Sequence, residues 1–369
     1  MKMAMELRNL LGSLAKPLRR IRLGRCRALW SGARSGWVWL FLTPLAGLAL
    51  LGLSSAATAH ERLIDEPEVK QFVDDLVAEE GFARAEVNDI LSDANVLQGV
   101  LDAISRPAER KPWYQYRTIF LTPARIEGGV AFWRTHREDL TRAEHEFGVS
   151  PEIIVAIIGV ETRYGAHTGR YRVLDALATL AFRHSKRGGF FRRELQSFLL
   201  LSREEGFDPR SLQGSYAGAI GLPQFIPSSY REYAVDFDGD KVRDLLGNPT
   251  DAIGSVANYL SQHGWEKGAD VALPAKLQAL GARKLAKGGI EPHLALTDMQ
   301  ARGVSIGSAA PHPGRGALIE LEARDGPEYW VGLRNFYTIT RYNHSPLYAM
   351  AVYQLAMAIR GQLGDAQGS

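Results

Sequence analysis

The sequence predicts a mainly α protein that carries one small β-containing lobe. Three observations lead there. Apolar residues recur at helical spacing along much of residues 66–205. That periodicity fades near Asp270, where Gly, Pro and short alternating runs take over. It returns over 347–360, where Tyr348, Ala351, Val352, Leu355 and Ile359 share one helix face.

Taken in order, Val69, Phe72, Val73 and Leu76 mark a first helix, followed by the polar break Glu79-Glu-Gly81. Shorter helices are predicted over Arg84–Leu91 and Val96–Ile104, then a linker over Pro107–Pro112. Trp113-Tyr-Gln-Tyr116 leads into a helical stretch over about Pro123–Phe147. Residues 151–205 read as three helices: one from Pro151 to Glu161, Val173–Phe182, and Phe190–Glu205. Within 270–333, Ala317-Leu-Ile-Glu-Leu-Glu322 and Tyr329-Trp-Val-Gly-Leu333 are the best strands. The helical lobe is therefore expected to be discontinuous, with 60–145 completed by 334–369. No internal repeat is evident.

The first 59 residues do not read as fold. Lys2, Arg8, Lys16, Arg19, Arg20, Arg22, Arg25, Arg27 and Arg34 face a single acid, Glu6. An apolar stretch runs from Trp37 to Leu53, and Ser54-Ser-Ala-Ala-Thr-Ala59 then places Ala57 and Ala59 in an A-x-A pattern. That order describes a secretory signal peptide, with cleavage expected after Ala59. The competing reading is an uncleaved anchor, but the stretch is short for a span and Pro44 and several glycines interrupt it.

The signal also holds the basic excess. The chain has 44 basic and 41 acidic residues; residues 1–59 hold 9 and 1 of them, leaving 35 and 40, a net charge of −5. Nothing in that balance favours nucleic acid as a partner. The one cysteine, Cys26, precedes the apolar stretch, so it is not placed as a lipoprotein cysteine. A mature chain without cysteine forms neither a disulfide nor a thiolate metal site.

Glu161 is the leading candidate for chemistry. Ser150 is placed to cap a helix whose first position is Pro151, and the run that follows is almost wholly apolar. A carboxyl at the far end of a buried helix is partly desolvated, which raises its pKa and suits a general acid. The plainer alternative is a structural Glu, solvated or paired with Arg163 or Arg170. Two further segments offer binding groups. Gly214-Ser-Tyr-Ala-Gly-Ala-Ile-Gly-Leu-Pro-Gln-Phe-Ile-Pro-Ser-Ser-Tyr230 presents Gln224 and Phe225, an amide and a flat ring suited to a sugar. Tyr337-Thr-Ile-Thr-Arg-Tyr-Asn-His-Ser345, with Tyr348 behind it, could line a groove for ring-shaped polar ligands or fill a core.

A fourth segment, Asp236-Phe-Asp-Gly-Asp-Lys-Val-Arg-Asp244, has acids at positions 1, 3, 5 and 9 of a calcium loop. Val242 would give its carbonyl at position 7. Lys241 stands at position 6, where Gly is expected, and Gly247 at position 12, where Glu is expected. The alternative is a solvated acidic turn.

With Glu161-Thr-Arg-Tyr-Gly165 and Val173-Leu-Asp-Ala-Leu-Ala-Thr-Leu180, these segments closely resemble the lytic murein transglycosylase B family (glycoside hydrolase family 103) of lysozyme-like cell-envelope enzymes. The resemblance runs from about Trp113 to the C-terminus and is strongest over 151–265. It implies a lysozyme-like catalytic core over 146–269, beside the helical lobe and the β lobe of 270–333. It implies cleavage of the β-1,4 bond between N-acetylmuramic acid and N-acetylglucosamine, with 1,6-anhydromuramic ends. Glu161 would serve first as acid and then as base, without a cofactor. Tyr116, Ser215, Gln224, Phe225, Tyr259, Tyr342, Asn343 and Tyr348 match groove residues of the family; Ser215 is expected to bond Glu161 or orient an N-acetyl group. Lys186-Arg187 and Phe190 match a peptide-contacting corner, where the family carries paired arginines followed by a Tyr. The family's calcium loop, Asp236, Asp238, Asp240 and Val242, is closed by a later Asp, here Asp251 after one extra residue, and implies a structural Ca2+. The resemblance implies a periplasmic location and peptidoglycan strands as partner, with cell-wall synthesis proteins of unknown identity. A hydrolytic muramidase on the same scaffold and a non-catalytic wall-binding protein are the alternatives. Asp175, Glu194 and Glu204 leave open a second acid.

Overall fold

The computed structural model describes residues 63–106, 110–307 and 314–365. The expected signal peptide, with Cys26, lies outside the described residues. Helices α1 (Pro67–Glu80), α2 (Arg84–Ser92) and α3 (Gln98–Ile104) follow the predicted periodicity. Pro67 opens α1, where an N–H has no partner to lose, and Gly81 closes it in the left-handed region. Helix α3 starts two residues later than expected, because Val96 and Leu97 stay outside it.

Next come α4 (Trp113–Phe120), α5 (Pro123–Thr135) and α6 (Arg137–Phe147). The single stretch predicted over Pro123–Phe147 is thus two helices. His136 breaks it at φ −110°, ψ 30°, with its ring 4.5 Å from that of Phe132. Thr122 caps α5 by accepting from Arg125 N.

Helix α7 (Pro151–Thr162) is the centre of the molecule, and every residue in it except Glu161 is buried. An all-round apolar helix has no face to give to water, so neighbours must cover it on all sides. Helices α5, α6, α11 (Pro249–Gln262) and α14 (Pro346–Asp365) do so. Pro151 sits in the first turn as expected. Ser150 takes the N-cap position without a side-chain bond to the helix. Helices α8 (Val173–Arg183) and α9 (Gly188–Glu205) pack on each other. A two-residue ladder joins β1 (Tyr171–Arg172) to β2 (Gln213–Gly214).

Three helices were not anticipated from the sequence: α10 (Pro227–Tyr233), α11 and α13 (Arg334–Tyr342). On the inner face of α13 the apolar pair Phe336 and Ile339 is interspersed with buried Asn335, Thr338 and Thr340. Residues 270–333 contribute a five-stranded antiparallel sheet in the order β4 (Leu294–Ala295), β6 (Arg315–Ala323), β7 (Gly326–Gly332), β3 (Ala272–Leu277), β5 (Val304–Ile306). Strands β6 and β7 contain most of the two predicted runs. Strand β3 escaped prediction because Pro274 and Lys276 interrupt it. A short helix, α12 (Leu296–Ala301), closes this sheet over its own apolar cluster of Leu296, Met299, Val304, Leu318 and Val331.

Candidate active site

Helix α7 delivers Glu161 to a half-buried position and then stops abruptly. Arg163 (φ 52°) and Tyr164 (φ 61°) both adopt left-handed backbone. Each such residue with a Cβ costs about 1–2 kcal/mol. Strain of this kind persists where surrounding contacts enforce it, commonly at functional sites. Among the described residues four non-glycines have positive φ, and three of them, Arg163, Tyr164 and Gln224, lie in the two motif segments nearest Glu161.

The enforcing contacts are visible. Thr162 Oγ1 donates toward Leu222 O (3.0 Å) and Ile158 O (3.2 Å) and accepts from Gly165 N (3.0 Å). This ties the end of α7 to the 214–226 loop. The Tyr164 ring folds back between α5 and α7, and its hydroxyl donates to Arg125 O at 2.7 Å. Gly128, Gly129 and Gly159 make room for it: a Cβ on Gly159 would lie 2.5 Å from Tyr164 Oη. Arg125, only 8% exposed, completes the arrangement. Its Nη1 donates to Gly159 O at 2.6 Å and Val160 O at 3.3 Å, the carbonyls just before Glu161. A cation at a helix C-terminus also suits the helix dipole. Burial lowers the Arg125 pKa from its ordinary value, with Arg163 adding to the effect. The sequence reading quoted Thr162 and Tyr164 only as motif letters and missed Arg125. The adjacent Gly128 and Gly129 inside a helix were the available sign of a close approach.

Helix α14 supplies the partner of Glu161. Tyr348 Oη donates to Glu161 Oε1 at 2.6 Å. Burial, and then the Glu161 charge, holds the Tyr348 hydroxyl well above the ordinary phenol range, so it stays a donor. Its ring stacks on Tyr342 (centroids 6.4 Å, planes 11° apart). Tyr342 in turn meets Phe225 (5.8 Å) and Tyr259 (4.9 Å). The hydroxyls of this cluster are satisfied internally: Tyr342 Oη donates to Pro223 O (2.6 Å) and Tyr259 Oη to Arg341 O (2.7 Å).

This changes the picture of an exposed sugar-gripping ring. Phe225 is 2% exposed, and Tyr116, Tyr259 and Tyr348 are buried with it. The rings of Phe225, Tyr259 and Tyr348 pack around the half-buried Tyr342. Gln224 spends its amide on the backbone, donating to Thr168 O (3.0 Å) and Gly221 O (2.9 Å). It sits at the tip of a tight turn in which Ile220 and Phe225 exchange backbone bonds. Ser215 Oγ accepts from Ala217 N (3.2 Å) and Ala219 N (3.0 Å), so its oxygen shapes its own loop.

The nearby acids all have structural partners. Asp175 accepts from Arg172 and from Asn95 N. Glu204 pairs with Arg231. Glu194, 4% exposed, accepts from Ser228 N (3.0 Å) and Ser228 Oγ (2.8 Å) and so holds the start of α10. Burial raises its pKa. The Arg163 and Arg170 side chains lie near His167 and over Tyr171. At the corner between α8 and α9, the Arg187 guanidinium lies over the Phe190 ring (4.7 Å) and that of Phe191 (5.1 Å), beside the exposed Lys186.

In the acidic loop, Asp236, Asp238 and Asp251 each offer an oxygen, all within 4.8 Å of one another. Lys241, at the position where a calcium loop wants Gly, does adopt positive φ (76°). Asp240 Oδ1 instead accepts from Val242 N, and the Val242 side chain is exposed. Asp251 is buried and accepts from Phe237 N and Asp244 N. Three converging carboxylates on a turn of this shape fit a hard divalent cation.

A strained helix end thus presents one carboxylate to a buried phenol that stacks on a cluster of aromatic rings. Residues 65–357 match the transglycosylase SLT domain family, and the chain belongs to that family. The membrane-bound lytic murein transglycosylase B of Escherichia coli (strain K12) is 43% identical over 327 residues, which is 86% of this chain and 89% of that protein. Catenated lytic transglycosylase SltB1 from Pseudomonas aeruginosa has the same fold: TM-score 0.77, 52% identity, 81% of this chain and 98% of the other. Escherichia coli Slt35 in complex with calcium is similar at TM-score 0.74 and 45% identity, over 81% and 94% of the two chains. SltB3 from Pseudomonas aeruginosa, in complex with NAG-anhNAM-pentapeptide, gives TM-score 0.71 and 32% identity over 79% and 78%. The fold is thus the lysozyme-like fold of these enzymes, and the chain is a lytic murein transglycosylase. Among the described residues, no helix is long and apolar enough to cross a membrane.

Proposed function

We propose that Glu161 performs both proton transfers of a lytic transglycosylation on peptidoglycan strands. As a carboxylic acid it protonates the glycosidic oxygen, and the bond from that oxygen to the muramic acid C1 breaks, releasing the N-acetylglucosamine hydroxyl. As a carboxylate it then takes the proton of the muramic 6-hydroxyl, whose oxygen bonds to C1 and closes the 1,6-anhydro ring. The acid is regenerated and no water is consumed. One carboxylate suffices for this cycle, whereas an ordinary glycosidase needs two. The observation that carries the reading is the 2.6 Å bond from Tyr348 to Glu161, in a site whose other nearby acids, Asp175, Glu194 and Glu204, are tied to structural partners. The phenol fixes one carboxylate oxygen, Oε1. The N-acetyl group of the substrate assists at C1. Tyr342, Asn343, Ser215 and Gln224 shape the groove, and Lys186, Arg187 and Phe190 meet the acidic peptide stems.

Two further readings belong to this proposal. Residues 1–59 export the chain to the periplasm, where its polymer lies. Calcium would be held by Asp236, Asp238 and Asp251 with Asp240 and the Val242 carbonyl. It would supply folding free energy to the loop and no step of the reaction.

The test is mass spectrometry of muropeptides released from purified sacculi. We expect 1,6-anhydromuramic ends, and no release from Glu161→Gln, which should still bind sacculi. Free reducing ends would make the protein a muramidase that uses water. Full activity in Glu161→Gln would sink the assignment.

A further inference from the structure

A cavity outside the Glu161 site borders α4. It measures 470 Å³ and opens between this helix and the turn joining β6 to β7, with Trp113, Tyr114 and Arg117 on one wall and Arg324, Asp325 and Pro327 on the other. We propose that it binds the free amino-acid head of a peptide stem, a group carrying an ammonium and a carboxylate on one carbon. This rests on the peptidoglycan reading above and names the part of that polymer the cavity takes.

The charges are available. Ala323 pairs with Gly326, so Arg324 and Asp325 are the two residues of a tight turn. Both are exposed, and neither has an ion pair or side-chain hydrogen bond among the described residues. Arg117 is half-buried, and its guanidinium lies 5.7 Å over the Trp113 ring, which holds it flat along the wall. It too has no carboxylate partner among the described residues. The cavity therefore combines two guanidiniums and one carboxylate beside the Trp113 and Tyr114 side chains. Guanidiniums take a carboxylate in a two-pronged grip, and Asp325 takes the ammonium.

The location suits a substituent of the bound strand. Helix α4 packs against β6 and against α14. Its Tyr116 ring lies 6.4 Å from that of Trp113, which lines the cavity, so one helix borders both the cavity and the element that carries Tyr348.

The full chain and an Arg117→Gln/Arg324→Gln variant would be compared on two substrates: uncross-linked glycan strands with intact stems, and the same strands stripped by an amidase. We expect kcat/KM to fall about tenfold or more on stem-bearing strands and to stay within about twofold on stripped strands. Equal losses on both, or none on stem-bearing strands, would overturn the proposal. Arg324→Gln alone, in an exposed turn, guards against misfolding and should show a smaller loss of the same selectivity. Calorimetry with the free stem peptide separates this site from the catalytic reading. Binding to the wild type that is lost in the double variant, and lost again when the stem amine is acetylated, supports the cavity even if neither strand is cleaved. No binding of the free peptide to the wild type would overturn it.

Discussion

Replacing Tyr348 by Phe removes a single oxygen from the site. The ring keeps its stack on Tyr342, at 6.4 Å between centroids, so packing changes little. What disappears is the bond at 2.6 Å to Glu161 Oε1. Tyr348 is 2% exposed, so bulk water does not reach in from its side to replace the hydroxyl. A hydrogen bond to a charged group is worth about 1.5–3 kcal/mol. At 1.36 kcal/mol per tenfold, the expected loss in turnover is roughly ten- to a hundredfold, because a carboxylate without this bond is held less firmly in line with the glycosidic oxygen. The assay is the initial rate of anhydro-muropeptide release by mass spectrometry, with thermal unfolding alongside. Stability should fall by no more than the roughly 1.5–3 kcal/mol such a bond is worth, since one hydroxyl is lost and no cavity larger than an oxygen is left. A rate within about twofold of wild type would refute the role assigned to Tyr348. A rate loss matched by a large loss of stability would show that the hydroxyl acts on the fold.

Gly159→Ala should destabilise the protein by about 1–3 kcal/mol in denaturant unfolding, because its Cβ would meet Tyr164 Oη at 2.5 Å and displace the ring that braces the end of α7. Calcium should raise the melting temperature, and Asp251→Asn should abolish that response; an equal calcium response in the variant would remove Asp251 from the site. Glu194 bears on the pH dependence of stability. Burial raises its pKa in the folded state, so its contribution is full below the unfolded value of 4.5 and is lost as pH rises through the folded one. Glu194→Gln should therefore flatten the fall in stability with rising pH above that value, read as melting temperature across a pH series; an unchanged slope would count against the buried carboxylate as its source.

Some of this protein is written locally. The apolar run of α7, the proline that starts it and the polar residue that ends it are legible as a string, because helix periodicity and end signals act over one or two turns. The β6–β7 hairpin is legible for the same reason, through alternating runs on either side of a turn. Helix α13 is less so, because Asn335 and Thr338, buried for the hydrogen bonds they make to the 263–269 segment, interrupt the apolar pair Phe336 and Ile339 on its inner face. The role expected of the rings was only partly legible: composition shows aromatic residues, but not that Phe225 lies beneath Tyr342 in the core.

By itself the sequence determined many of the helices, that a carboxylate stands at the end of the buried one, and, through several long motifs in order, the family to which the chain belongs. Tertiary structure decided what that carboxylate meets. Its phenol partner lies 187 residues away in sequence, and the arginine that holds the carbonyls before it lies 34 and 35 residues from them. It also decided that Asp175, Glu194 and Glu204 are tied to structural partners. The physical reason is one of range. Backbone periodicity and capping are settled within a few residues, whereas a side-chain partner depends on which helix faces pack together, and no local pattern specifies that.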